Sequence, residues 1–362
     1  MRLAVIGVGK LGACVTAWLA SRGHEVFAVE TSPRRLHALQ REEFDPEPHL
    51  YETWKKHAKR IHLCKIFHDG AGIQAAFVVV PTPSQADGTF DEAAVLKALR
   101  DIPDTIPVII MSTLTPGTMD RIHRPHSWVA YHPLFIALGR VMMDLNRPPY
   151  HLVGTKDIQA RMWFLAFYSG TCQFMTPLQA EITKLVTNVA LIQKITLANL
   201  TGMLCARLRV SDQAVLYAVG SDPRIGREYL RAGAPYGGPC FPRDINCFDE
   251  VLKLSHIRGE LPSALEDMNG EVSDFLIARI LTSLKARRIT RVTLIGMGYK
   301  SGVSWRHASF GVVLAQALGR SKIHLTSMKR AQALIAVQPG SVLLVKKNQI
   351  LIDVWSDMGA VQ

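Results

Sequence analysis

This sequence predicts an α/β protein with parallel sheets on either side of a long central helix, on three observations. The chain opens MRLAVIGVGKLGACVTAWLASRGHEVFAVE, an apolar strand, a glycine turn, an amphipathic helix and a second apolar strand. The same strand–glycine–helix order returns at Arg291, in RVTLIGMGYKSGVSWRHASFGVVLAQAL. Between the two, residues 178–209 read as one long helix. The expected organisation is an N-terminal α/β domain over 1–177, a central helical region over 178–285 and a shortened C-terminal α/β domain over 286–362.

The opening segment carries a chemical signature. Gly7, Gly9 and Gly12 stand in G-x-G-x-x-G spacing between strand and helix. Such glycines make the tight turn, admit a pyrophosphate to the backbone and let the helix approach the strand, while the helix N-terminus faces the phosphate charge. Lys10 and Leu11 complete the loop, and Glu30 at the tip of the second strand can accept a ribose 2′-hydroxyl and would repel a 2′-phosphate. A Rossmann-like dinucleotide site is expected, with NAD favoured over NADP. Two further buried strands, 77–80 and 108–111, run into Pro81-Thr82-Pro83 and Ser112-Thr113-Leu114-Thr115-Pro116-Gly117-Thr118. Ligands bind at the carboxyl ends of parallel strands, so Thr82 and Thr113 are candidate cofactor contacts; the alternative is that they cap the following helices.

Lys184 and Asn188 lie four residues apart on the long helix and so share a face. Lys184 either snorkels to water or serves as an acid, base or oxyanion group. Residues 233–244, GAPYGGPCFPRD, set Cys240 behind a glycine turn and four residues before Asp244, with Pro239 and Pro242 stiffening the segment. A thiol so placed can add to an aldehyde and form a thiohemiacetal from which hydride can leave; a structural cysteine in a turn is the alternative.

With 362 residues the chain is long enough for two or more cores. Cysteines 14, 64, 172, 205, 240 and 247 show neither metal-ligand nor disulfide spacing, so reduced thiols and no metal are expected. No apolar run is long enough to span a bilayer, and the first strand begins at once, so no membrane and a cytoplasmic location are expected. The formal charge of +12 is compatible with nucleic acid, an anionic membrane surface or phosphorylated substrates. No nucleic-acid motif is present, and Lys55, Lys56, Lys59 and Arg60 read as a solvated helix face.

Several motifs occur in one order: Gly7/Gly9/Gly12 with Glu30 and Arg35; V-P-T-P with Asp87 and Asp91; S-T-x-x-P-G-T at 112–118; A-E-x-x-K-L-x-x-N at 180–188; D-x-R-I-G at 222–226; and G-G-x-C-F-P-x-D at 237–244. Over nearly the whole chain this resembles the UDP-glucose/GDP-mannose dehydrogenase family, which oxidises the primary alcohol of a nucleotide sugar to a carboxylate in two NAD-dependent steps. The resemblance implies Cys240 as the catalytic thiol, Lys184 stabilising an alkoxide, and Asn188 and Asp244 holding a water or oxyanion, with Thr113 in the catalytic set. It implies Arg224 reaching the substrate of a neighbouring subunit, hence a homodimer built on the central helix. It also implies substrate contacts from Tyr236, Gly237 and Lys300 and a cofactor contact from Arg306.

The departures matter as much. The family's N-P-E-F-L-x-E-G segment is His132-Pro133-Leu134-Phe135-Ile136-Ala137-Leu138-Gly139, so leucines replace two glutamates, the first of them tied to water handling in thioester hydrolysis. Pro239 stands for serine, Arg243 for lysine, and His307-Ala308 for Glu-Ser. The third domain is short, passing from its helix almost directly to a last strand, ILIDVW. Asp244 or a histidine such as His132 are the groups left to activate water. Three outcomes follow: alcohol-to-acid oxidation of a nucleotide sugar, two-electron oxidation of this or a smaller anionic alcohol, or a catalytically silent homologue.

Overall fold

A computed structural model of the chain describes residues 1–68, 71–300, 303, 305–339, 345, 349–356 and 358. The chain divides into two compact units, Met1–Val186 and Thr187–Gln362.

The first unit is an eight-stranded sheet: β1 (Arg2–Ile6), β2 (Glu25–Val29), β3 (Ile61–Cys64), β4 (Ala75–Val78), β5 (Val108–Ile110), β6 (Val129–Tyr131), β7 (His151–Gly154) and β8 (Cys172–Met175). Their spatial order is β3-β2-β1-β4-β5-β6-β7-β8. All neighbours run parallel except β6 and β7, which meet antiparallel at Tyr131 and Gly154. The chain steps outward from β1 to β2 and β3 and then returns to β1's other side as β4, so the carboxyl ends of β1 and β4 flank a crevice where ligands of such sheets bind. The central strands are apolar throughout because both faces are covered; every residue of β4 and β5 is buried. Helix α1 (Lys10–Ser21) is buried from Gly12 to Ala20, which accounts for its all-round apolar sequence. Helices α2 (Pro33–Gln40), α3 (Leu50–His57), α4 (Ala93–Asp101), α5 (Val141–Asn146) and α6 (Ile158–Phe167) complete the unit with the first turns of α7 (Pro177–Leu208).

The second unit holds the rest of α7, then α8 (Asp212–Gly220), α9 (Phe241–Leu254), α10 (Leu261–Ala286), β9 (Arg291–Ile295), α11 (Phe310–Arg320), β10 (His324–Leu325), β11 (Ala333–Ala336) and β12 (Ile350–Asp353). Its strands form a parallel sheet in the order β10-β9-β11-β12. The sequence reading passes from α11 to the final strand, yet β11 lies between them, pairs with both β9 and β12, and is buried at all four residues. Its sequence, ALIA, has no alternation and two alanines of poor strand propensity, so burial in the sheet rather than local preference makes it a strand.

A second difference concerns α7. Counted as uninterrupted apolar residues no segment could span a bilayer, but α7 is one helix of 32 residues, apolar enough by length and composition to do so. Polar residues along it are instead used inside the protein: Glu181, Asn188, Thr196 and Asn199 are buried.

Candidate active site

The glycine loop is shaped by contacts that no side chain could share. Gly7 has φ +89°, and a Cβ there would lie 2.7 Å from the Val79 carbonyl oxygen. A Cβ on Gly12 would fall 1.9 Å from the oxygen of Gly7, so this glycine is what lets α1 begin against the turn. Around Gly9 a Cβ would meet nothing within 4 Å, leaving its backbone face open for an approaching phosphate. Glu30 accepts hydrogen bonds from Val8 N (3.0 Å) and Ser32 N (2.9 Å), which fixes a carboxylate beside the loop at the end of β2. Arg35 donates from Nε to the Val8 carbonyl (3.1 Å) and pairs with Asp45 at 3.2 Å, closing the other side. Lys10 lies 3.8 Å from the buried Glu47, whereas Leu11 packs against the core and can offer a ligand only its backbone. An open glycine edge beside a fixed carboxylate suits NAD, and a 2′-phosphate would meet that carboxylate.

Thr82 and Thr113 follow β4 and β5. The Thr82 hydroxyl is buried and donates to the Thr113 carbonyl at 2.8 Å, tying the two loops together rather than capping a helix. Ser112 Oγ takes the Val80 N–H at 3.0 Å, which ends β4 two residues before the predicted boundary.

The segment after β6 shows what the leucine replacements did. Leu134 and Leu138 both pack on the core of the first unit. Leu134 still reaches α7 through its backbone: the Lys184 ammonium donates to its carbonyl at 3.0 Å and lies 5.0 Å over the Phe135 ring. Glu47 anchors the far end of this segment, accepting from Gly139 N (3.0 Å) and Val141 N (2.8 Å). The surroundings of His132 argue against it as the water-activating base. It is buried, donates from Nδ1 to the Leu152 carbonyl at 2.7 Å and packs edge-on against Phe164 and Tyr168, and burial pushes its pKa down to about 4.

In the second unit Cys240 is exposed and occupies the N-cap position of α9. One turn on, Asp244 is fully buried; it accepts from Asn188 Nδ2 at 2.5 Å and from Arg243 Nε at 3.1 Å. Two asparagines hold the irregular stretch before the thiol. Asn199 accepts from Gly233 N (2.8 Å), and Asn269 both accepts from Tyr236 N (2.8 Å) and donates to its carbonyl (3.1 Å). Gly237 and Gly238 admit the loop after β9: a Cβ on Gly237 would lie 2.0 Å from the Ala308 oxygen, and one on Gly238 2.6 Å from the Tyr299 ring. That loop carries Lys300, with Gln338 Nε2 donating to the carbonyls of Gly298 and Lys300, each at 2.8 Å. Arg306 is exposed on the same loop. Arg224 stands apart in the turn after α8, exposed and paired with Asp222 at 2.6 Å.

Two domains known from other proteins match this arrangement: the NAD binding domain of the UDP-glucose/GDP-mannose dehydrogenase family over residues 1–171 and the central domain of that family over residues 178–271. The chain belongs to the UDP-glucose/GDP-mannose dehydrogenase family. The enzyme is 28% identical over 352 residues to the UDP-glucose 6-dehydrogenase of Pseudomonas aeruginosa, a match that takes in 90% of this chain and 78% of the relative. It is similar in fold to a UDP-glucose dehydrogenase of Pyrobaculum islandicum (TM-score 0.85, 24% identity, covering 99% and 95% of the two chains). A UDP-D-ManNAc dehydrogenase of Pyrococcus horikoshii is also similar (TM-score 0.84, 18% identity, both chains covered in full). As a member of this dehydrogenase family the enzyme is an NAD-dependent oxidoreductase of nucleotide sugars, and its first unit is the NAD-binding one. The Asn199, Asn269 and Gln338 contacts were not predictable from spacing, because each joins segments more than 30 residues apart in sequence.

Proposed function

We propose that this enzyme oxidises the primary alcohol of a UDP-hexose, with UDP-glucose the first candidate by analogy with its relatives, to the carboxylate through a covalent adduct on Cys240, as a cytoplasmic homodimer. The observation that carries the reading is the exposed Cys240 at the start of α9 with the buried Asp244–Asn188 pair one turn behind it. When bound, NAD accepts the hydride in each of the two oxidations. Cys240 Sγ adds to the aldehyde carbon, forming a C–S bond while the carbonyl oxygen gains a proton; after the second oxidation water attacks the thioester carbon, the C–S bond breaks and the thiol returns. Lys184 steadies negative charge on the substrate oxygen, and Thr113 on the β5 loop completes the catalytic set. Asn188 and Asp244 orient the water. Gly7, Gly9, Lys10, Leu11, Gly12, Glu30, Arg35, Thr82, Thr113 and Arg306 hold the cofactor, and Arg224, Tyr236, Gly237 and Lys300 the substrate.

The dimer is supported by an exposed apolar stripe on α7, Leu197, Leu200, Leu204 and Leu208, with Tyr217 and Tyr229 also exposed nearby in sequence. The test is stoichiometry: two NADH formed per UDP-glucose, and no acid from Cys240→Ala. Acid formation by Cys240→Ala at the wild-type rate would refute covalent catalysis. A second reading, release of aldehyde after one oxidation, is favoured by the packing of Leu134 on the core where a glutamate would assist water.

A further inference from the structure

The loop after β5 carries Thr113, and its later residues meet α7. Glu181, fully buried, accepts hydrogen bonds from Gly117 N at 2.7 Å and Met119 N at 2.8 Å. Gly117 has φ +92°, so the loop turns there in a conformation that leaves both N–H groups pointing at one carboxylate. Three residues further along α7, and therefore on the same face, stands Lys184, itself held by the Leu134 carbonyl. A single side chain thus joins the turn of α7 that carries the lysine to the loop that carries the threonine.

We propose that Glu181 is a positioning residue, a carboxylate clamp that fixes Lys184 of α7 relative to Thr113 of the β5 loop and so sets the geometry at the reacting oxygen. The proposal deepens the reading of Lys184 and Thr113 given above and rests on it. Its chemistry makes the clamp sensitive to pH. Burial raises the Glu181 pKa from 4.5 to about 7, against the pull of the Met119 and Gly117 N–H groups, with Asp120 and Glu92 adding repulsion. Those two acids are partly offset by cations of their own, Lys156 at 3.7 Å from Asp120 and Arg121 at 3.2 Å from Glu92. Once protonated, one carboxyl oxygen becomes a donor facing a backbone donor, and half the clamp is lost.

Glu181→Gln keeps the size and sets an NH2 group against one of the two N–H groups. The expected results are a kcat about 10- to 100-fold lower, as a misplacement of roughly 1 Å can produce, a KM for the nucleotide sugar changed less than about threefold, and disappearance of a fall in kcat below about pH 7. Hydrogen exchange of residues 113–121, corrected for the intrinsic rate, should also quicken about tenfold or more. Should Glu181→Gln fail to fold, Glu181→Asp takes the kcat and exchange readouts, its shorter carboxylate lowering kcat and quickening exchange less, while the acid limb persists because a carboxyl remains. A kcat within twofold of wild type with the acid limb unmoved overturns the proposal, and so does unchanged exchange in an impaired variant. Absence of turnover in the wild type with the exchange response intact would instead be a failure of the functional reading.

Discussion

Asp244, Glu181 and Glu47 are carboxylates removed from water, and each is kept by a different set of donors. An amide and a guanidinium hold Asp244, two loop N–H groups hold Glu181, and two N–H groups with a lysine 3.8 Å away hold Glu47. For Glu181 the sign of the linkage is informative. A carboxyl whose pKa is raised by folding contributes stability that is full below its unfolded value and lost as pH rises through its folded one. Between about pH 4.5 and 7 the enzyme should therefore lose stability, on the order of 3 kcal/mol from this group, while its clamp tightens. Urea unfolding of wild type and Glu181→Gln at pH 5 and pH 8 checks this: the variant should lack that part of the pH dependence. An equal dependence in both proteins would assign it to other groups.

At the scale of elements, the glycine turns were legible in sequence and the polar ties were not. Gly7, Gly12, Gly237 and Gly238 stand where backbone or an aromatic ring comes within 3 Å of a would-be Cβ, a local demand that leaves a local mark. Asn199 and Asn269 look like ordinary helical asparagines until the fold brings the 233–236 stretch to them. β11 was missed for the same kind of reason, since its place between β9 and β12 is what makes it a strand. Glu181 had a signal of sorts, an acid inside an apolar helix three residues before Lys184, but nothing in spacing indicated the loop it would grip. Helix α7 yields a prediction at this scale. Leu200→Arg with Leu204→Arg puts two charges on its exposed stripe, and light scattering should show a monomer whose far-UV circular dichroism is unchanged. A variant that remains dimeric would move the interface elsewhere.

For the molecule as a whole, the two-oxidation cycle is most exposed at its last step. On the proposed mechanism the thiol and its neighbours are present, while Leu134 stands where the family resemblance puts a carboxylate that helps water. General-base assistance typically contributes about a hundredfold to ten-thousandfold. An acyl-enzyme on Cys240 should therefore accumulate during turnover, visible by intact-protein mass spectrometry as a mass gain lost in Cys240→Ala, while Cys240→Ser should at most stall as a covalent adduct. Fast turnover with no adduct and two NADH per sugar would mean that another group, with Asp244 the first candidate, activates the water.

Leu134 also bears on how far the site can be re-engineered. A glutamate placed there would put its charge beside Ile136 and Leu138, which pack with Leu134 against the core of the first unit, and taking a carboxylate out of water costs several kcal/mol. Leu134→Glu should therefore trade stability against rate, and chemical denaturation and turnover measured on the same variant would read both sides of that exchange.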